Sequence, residues 1–264
     1  DGESNAASQG DPQTRTAILN LDPAETVECT FTNTQRATAV VITETDPPGE
    51  AGAFLFTGVP SGTIPTDGTL VAAQLPPGTY TTTEADPAPG FDLTSVRCDD
   101  GGSATVSEGD PATRSAIFNL DPGEMVSCTF VNTRRGTLIV APEVEGPESD
   151  ANFTYTGVPS GTVPAGGTLI VSDLTPGTYT TTEVDPTPDF ELVEVTCDDG
   201  SSTTPSAGDA TTRSGIFNLD AGETVRCAFV ISRARAPALL AKARAVAAIR
   251  VPPARRPIRS TTPR

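Results

Sequence analysis

The chain has 264 residues, enough for more than one hydrophobic core, with few aromatics and no Trp or His. Its 24 Gly and 25 Pro punctuate β-branched runs, which fits an all-β protein of many short strands and excludes histidine-based catalysis. Charge divides sharply: residues 1–232 hold all 34 acids against eight arginines, a net of −26, while residues 233–264 hold nine bases and no acid.

An acidic body repels phosphates, so no nucleic acid and no anionic membrane is expected as its partner. No transmembrane segment is expected, because no apolar run reaches the ~18 residues that a spanning helix needs. No secretory leader opens the sequence, which reads as a mature product or a fragment.

Five cysteines stand at positions 29, 98, 128, 197 and 227; the first, third and fifth are 99 residues apart, and so are the other two. The same register joins Gly58 to Gly157, Tyr80 to Tyr179, Glu84 to Glu183 and Arg114 to Arg213. A period of that length makes each repeat a complete domain. One cysteine pair per repeat, Cys98 with Cys128 and Cys197 with Cys227, reads as a disulfide in an oxidising, extracytoplasmic setting. Buried free thiols are the alternative. Zinc is disfavoured, since no close Cys pair and no His are present.

In chain order, residues 1–36 match only the back of the unit: TRTAILNLDPAETVECTF at 14–31 parallels TRSAIFNLDPGEMVSCTF at 113–130. Cys29 is therefore an unpaired or interchain cysteine. Either the sequence is cut from a longer array, or another chain completes this half-domain by strand donation.

The first full repeat covers 37–134, with strands expected at 37–44, 53–58, 69–75, 79–84, 91–98, 113–120 and 125–132. Turn chemistry separates them: DPPGEAG, VPSGTIPTDG, LPPG, ADPAPG, CDDGGS and NLDPGE. Alternation slips between Leu93 and Val96, which predicts a β-bulge near Thr94–Ser95. Seven short strands in this span predict a two-sheet sandwich. The second repeat, 135–233, follows the same plan, except that Pro142 predicts an edge position or an early end for its first strand. The short junctions NTQRATAV and NTRRGTLIV leave almost no linker.

Residues 234–264 form a basic tail, disordered or partly helical. It is either a genuine tail suited to an acidic surface or the product of a shifted reading frame.

The phrase GTYTTTEADPAPGFDL, the strand GTLIV and the ending NLDPGEMVSCTFVNT resemble tandem prealbumin-like, SpaA-like (collagen-binding-protein B-type) repeat domains of bacterial surface proteins. The resemblance covers nearly all of residues 1–233. It implies tandem seven-stranded prealbumin-like (Ig-like) β-sandwiches, one disulfide per repeat. Glu84 and Glu183 match the family's E-box glutamate, which promotes an isopeptide bond between a first-strand lysine and a last-strand asparagine. Asn132 is a last-strand asparagine, but residues 1–232 contain no lysine, so that crosslink has no nucleophile. The disulfide is expected to take over its mechanical role.

Glu84 either points inward, with Arg114 as its candidate partner, or lies exposed at a strand end. The acids of Asp99-Asp100-Gly101 and Asp198-Asp199-Gly200 read as turn residues rather than calcium ligands. Asn152-Phe153-Thr154 is a glycosylation sequon of no expected use.

No cofactor, metal or catalytic residue is expected. The function expected is that of a non-enzymatic structural repeat protein of a bacterial cell surface, secreted and built into a disulfide-locked stalk or filament. Its partners would be neighbouring repeats or further copies of itself. The alternative is an adhesin-type module that recognises a carbohydrate or host protein through sandwich loops such as VPSGT at 59–63 and 158–162.

Overall fold

A computed structural model describes residues 6–146, 149–200 and 202–234. The expected basic tail lies outside the described residues apart from Ala234. No helix occurs among the described residues, so none is long and apolar enough to cross a membrane.

A short hairpin comes first, β1 (Gln9–Asp11) with β2 (Thr16–Ile18). Nine strands follow: β3 (Ala37–Asp46), β4 (Ala53–Gly58), β5 (Gly62–Pro65), β6 (Thr69–Leu75), β7 (Gly78–Glu84), β8 (Phe91–Asp99), β9 (Glu108–Asp110), β10 (Ser115–Leu120) and β11 (Met125–Arg134). They build two sheets, ordered β5-β4-β7-β10-β9 and β6-β3-β11-β8. The short strands β5 and β9 extend the seven longer ones expected from the sequence. They were illegible there because four residues ending in Pro65, or the tripeptide Glu108-Gly109-Asp110, carry no alternation to read.

The plan then repeats as β12 (Gly136–Val144), β13 (Asn152–Gly157), β14 (Gly161–Pro164), β15 (Leu169–Leu174), β16 (Gly177–Glu183), β17 (Phe190–Asp198), β18 (Ala207–Asp209), β19 (Ser214–Leu219) and β20 (Thr224–Arg233). The sheet orders are again five and four strands, β14-β13-β16-β19-β18 and β15-β12-β20-β17.

Alternation makes these sheets half-buried. In β3 every second residue from Ala37 to Thr45 is buried, and in β11 Val126, Cys128 and Phe130 face inward. Each core is centred on edge-to-face aromatic pairs between its sheets, Phe56 with Phe130 at 5.0 Å and Tyr155 with Phe229 at 5.0 Å. The slipped alternation in β8 is a bulge: Ser95 opposes Val131 and Leu93 opposes Asn132, which leaves Thr94 between them. Its hydroxyl bonds the Val131 carbonyl and Thr133 Oγ1.

One expectation is corrected. Pro142 neither ends β12 nor places it at an edge, because β12 runs on to Val144 between β15 and β20. The proline is tolerated because β15 pairs only with residues up to Val140, so on that side no ladder bond is asked of Pro142.

The first and last strands of each sandwich are neighbours and run parallel. β3 pairs with β11 from Thr38↔Met125 to Asp46↔Thr133, and β12 with β20 from Thr137↔Thr224 to Val144↔Ile231. The chain thus enters each sandwich at one end of this ladder and leaves at the other.

Only Arg135 separates β11 from β12. It pairs with Asp92 on one side, and its Nη1 donates to the Asp173 carbonyl on the other. The amide of Gly222 donates to the Arg134 carbonyl at 2.9 Å, and a Cβ at Gly222 would lie 3.2 Å from Pro47 and 3.3 Å from Arg134 side-chain atoms. One period earlier, Gly123 is packed in the same way against the side chain of Gln35.

Candidate functional site

In each sandwich the disulfide fastens the last strand to its antiparallel neighbour, and the carboxylate singled out in the sequence ends a strand of the opposite sheet. Cys98 of β8 faces Cys128 of β11 in register and is bonded to it; Cys197 and Cys227 repeat this between β17 and β20. Each bond closes a loop with a sequence separation of 30 residues. In the chain-entropy model such a closure stabilises by about 3–4 kcal/mol. Cys29 is a free thiol and is exposed.

This geometry alters the mechanical expectation. The disulfide joins β11 to β8, whereas a first-to-last-strand crosslink would join β3 to β11. It therefore shields the segment between Cys98 and Cys128 from extension but leaves β3 held to β11 by hydrogen bonds and packing.

Glu84, at the end of β7, is 1 % exposed, and its Oε1 accepts a hydrogen bond from Asn132 Nδ2 of β11 at 3.0 Å. Arg114, the expected partner, instead places its guanidinium on Asp86, 3.7 Å away, while its carbonyl accepts the Glu84 amide. It acts on the carboxylate only through space. Burial pushes the Glu84 carboxyl up to about 7, against the opposing pull of the Asn132 hydrogen bond and the Arg114 charge. Glu84 Oε2 and Asn132 Oδ1 have no hydrogen-bond partner.

Beside this pair lie the buried hydroxyls of β3. Thr45 sits opposite Asn132, and Thr43 donates to the Pro65 carbonyl. No amine is present at the first-strand position.

The second sandwich rearranges the same cluster. Asn132 becomes Ile231, Thr43 becomes Pro142, Thr45 becomes Val144, and Phe56 becomes Tyr155. Glu183, 2 % exposed, faces Tyr155 across the β13–β16 ladder. Burial pushes Glu183 up to about 7, and burial together with the nearby Glu183 charge raises the Tyr155 phenol. The paired change of Phe to Tyr and Asn to Ile is the feature sequence reasoning missed. The 99-residue register displays both substitutions, but nothing one-dimensional shows that they converge on the same carboxylate.

The acids of the long loop hold its shape. Asp99 Oδ1 accepts the Gly101 amide, Asp100 Oδ2 accepts the Ser107 amide, and Asp121 Oδ2 accepts the Ser103 hydroxyl. Among the described residues no three His, Cys, Asp or Glu side chains gather to hold a metal ion. The VPSGT loop is stitched down: Thr82 Oγ1 donates to the Pro60 carbonyl at 2.7 Å, and the Val59 amide donates to the Thr81 carbonyl.

The molecule is thus an all-β protein of tandem disulfide-bonded sandwiches whose first and last strands pair in parallel. Residues 39–134 match the family model of the SpaA-type prealbumin-like fold domain; the chain carries a prealbumin-like, SpaA-like domain. No curated protein matches the chain.

Among solved structures it is similar to the Bacillus anthracis TIE protein, with 14 % identity and a TM-score of 0.30, over 75 % of this chain and 34 % of that one. The chain thus spans about a third of that structure. It is also similar to the major pilin of Streptococcus pyogenes, with 13 % identity, a TM-score of 0.28, and 77 % and 100 % of the two chains covered. The shaft pilin SpaA of Lactobacillus rhamnosus GG gives 10 % identity, a TM-score of 0.28, and 77 % and 100 %.

Proposed function

We propose that the chain is a non-enzymatic, load-bearing segment of a stalk or filament on the outside of a bacterial cell. The parallel pairing of first and last strands carries this reading. Tension applied between Ala37 and Arg134 pulls β3 and β11 lengthwise past one another, so the ladder from Thr38↔Met125 to Asp46↔Thr133 must fail together rather than bond by bond. The disulfides fit an oxidising exterior, and the family of residues 39–134 supports a scaffold role. The tied-down VPSGT loop suits a spacer better than an adaptable binding loop.

Stretching single molecules of the chain tests the proposal. Each oxidised sandwich is expected to resist as a shear-loaded ladder and then release a length short by the segment held between its cysteines. Reduction should add about 100 Å of extended chain per sandwich, from a separation of 30 residues at ~3.5 Å each. Equal release before and after reduction, or failure at forces typical of unzipping, would sink it.

A further inference from the structure

The net charge of −26 on residues 1–232 is spread unevenly over the two sandwiches. On the four-stranded sheets the exposed strand residues include Glu44, Arg97 and Asp99 in the first unit, and Glu143, Glu194 and Arg226 in the second. The five-stranded sheets differ. Among β4, β5, β7 and β10, and among β13, β14, β16 and β19, the only acids are Glu84 and Glu183, both buried, and there is no base. No outward side chain of these strands is charged.

Alternation turns hydroxyls outward instead: Thr57 lies beside Thr83, Thr83 beside Ser115, and Thr81 beside Ile117. Several of their protons are already used within the sheet. Thr57 Oγ1 donates to the Thr83 carbonyl and Thr79 Oγ1 to Asn119 Oδ1, and Thr156 and Thr178 repeat both bonds one period on. A hydroxyl bonded in this way loses little when water is removed from above it, so the face can be covered at small cost. Its apolar side chains also keep their place from one unit to the next. Ile117 is 38 % exposed and Ile216 39 %. Leu55 becomes Thr154, but its neighbour Ala85, whose amide donates to the Leu55 carbonyl, becomes Val184, whose amide donates to the Thr154 carbonyl. The larger apolar group crosses to the adjacent segment yet stays at the same spot, 48 % exposed in both units.

We propose that the outer faces of the five-stranded sheets are the surface on which two copies of this chain pack side by side. Two bodies of the same strong charge repel, and this is the strand surface across which they meet without setting carboxylates against carboxylates. The partner's own face supplies the threonine methyls that cover Leu55 and Ile117. Four strands of some six residues, ~4.8 Å apart with ~3.4 Å per residue, present about 400 Å² per unit. That is half of the ~800 Å² that each partner buries in a specific interface, so both units are expected to take part. The proposal extends the load-bearing reading and rests on it for its purpose alone: threads that adhere along their length share a pull.

Sedimentation of the oxidised full chain over a range of concentrations reads the association, which should strengthen as added salt screens the acidic bodies. Radical labelling of aliphatic side chains locates it. Labelling of Leu55, Ile117, Val184 and Ile216 should fall as association rises, while that of Met125, on the four-stranded sheet, holds. Thr81→Glu with Thr180→Glu puts a charge into each face and should weaken association at least about tenfold, each single variant giving part of that loss. Met125→Glu with Thr224→Glu adds the same charge to the other sheets and should change association by less than about twofold. Unfolding midpoints close to the parent's show that a variant is folded, and labelling of the unaltered chain decides the matter where one is not. A chain that stays monomeric throughout overturns the proposal, as does association retained by the double threonine variant. So does association that weakens with salt, as contact between the basic residues 233–264 and an acidic body would. A fall in labelling centred on Met125, or one that requires an added neutral polysaccharide, overturns it too. None of these outcomes depends on how a single molecule stretches, so failure here leaves the load-bearing reading to its own test.

Discussion

Glu84 and Glu183 are the residues whose ionisation the fold opposes. Each titrates near 4.5 when unfolded and about 7 when folded. A carboxyl raised in this way contributes stability that is complete below pH 4.5 and is lost as pH rises through 7. The sandwiches should therefore melt at higher temperature at pH 5 than at pH 8. A shift of that size corresponds to about 3 kcal/mol per group at the alkaline end. Glu84→Gln and Glu183→Gln should flatten this dependence, raising the melting temperature at pH 8 and leaving it nearly unchanged at pH 5. Thermal unfolding followed across that range checks it, and an unaltered slope in the double variant would count against the assignment. The inward glutamates were legible as a question, since Tyr80, Thr82 and Glu84 alternate onto one face, but the partner of Glu84 was not. Arg114 stands at the same offset in both repeats and invites pairing, yet its guanidinium goes to Asp86, while the partner actually used, Asn132, lies 48 residues away in sequence.

At the scale of the element, the long strands could be read from alternation and from their bounding turns, because one face of each is buried and the other wet. The bulge at Thr94 could be read for the same reason: an inserted residue flips the phase of everything beyond it. Pro142 misled because a proline's cost depends on whether a neighbour needs its amide, and β15 stops short of it. The parallel partnership of β3 and β11 was invisible, since a strand's own pattern does not name its neighbour. The disulfide pair yields a prediction here. Cys98→Ser with Cys128→Ser should destabilise the first sandwich by about 3–4 kcal/mol, measured by chemical denaturation. The second sandwich, which keeps its own bond, should unfold at its original midpoint. A loss well under 1 kcal/mol would mean that the closed loop is nearly as ordered without the bond.

Across the whole molecule, the 99-residue period dictates both the two sandwiches and the joint between them. Arg135 joins the two sandwiches beside the Gly222 amide's hydrogen bond to the Arg134 carbonyl. Arg135 grips Asp92 on one side and the Asp173 carbonyl on the other, both partly exposed, so its worth to the stability of either sandwich is about 1 kcal/mol or less. Arg135→Ala is accordingly expected to leave both unfolding midpoints nearly in place while widening the range of orientations between the sandwiches. Residual dipolar couplings measured for each sandwich separately would read that range directly, and unchanged couplings would assign the joint to Gly222 and Pro47 instead.

The closed loop between Cys98 and Cys128 has a bearing on recovery as well as on resistance. Between those two cysteines lie the paired strands β9 and β10 and the local hydrogen bonds of Asn119 and Glu124. A sandwich pulled open to its disulfide retains that same piece, with β8 still fastened to β11. When tension falls, the returning strands meet a template already in register, and the search left to them is shorter than that of a wholly unravelled chain. A thread of such units would behave as a spring that resets, taking up a sudden pull and regaining its length without new synthesis.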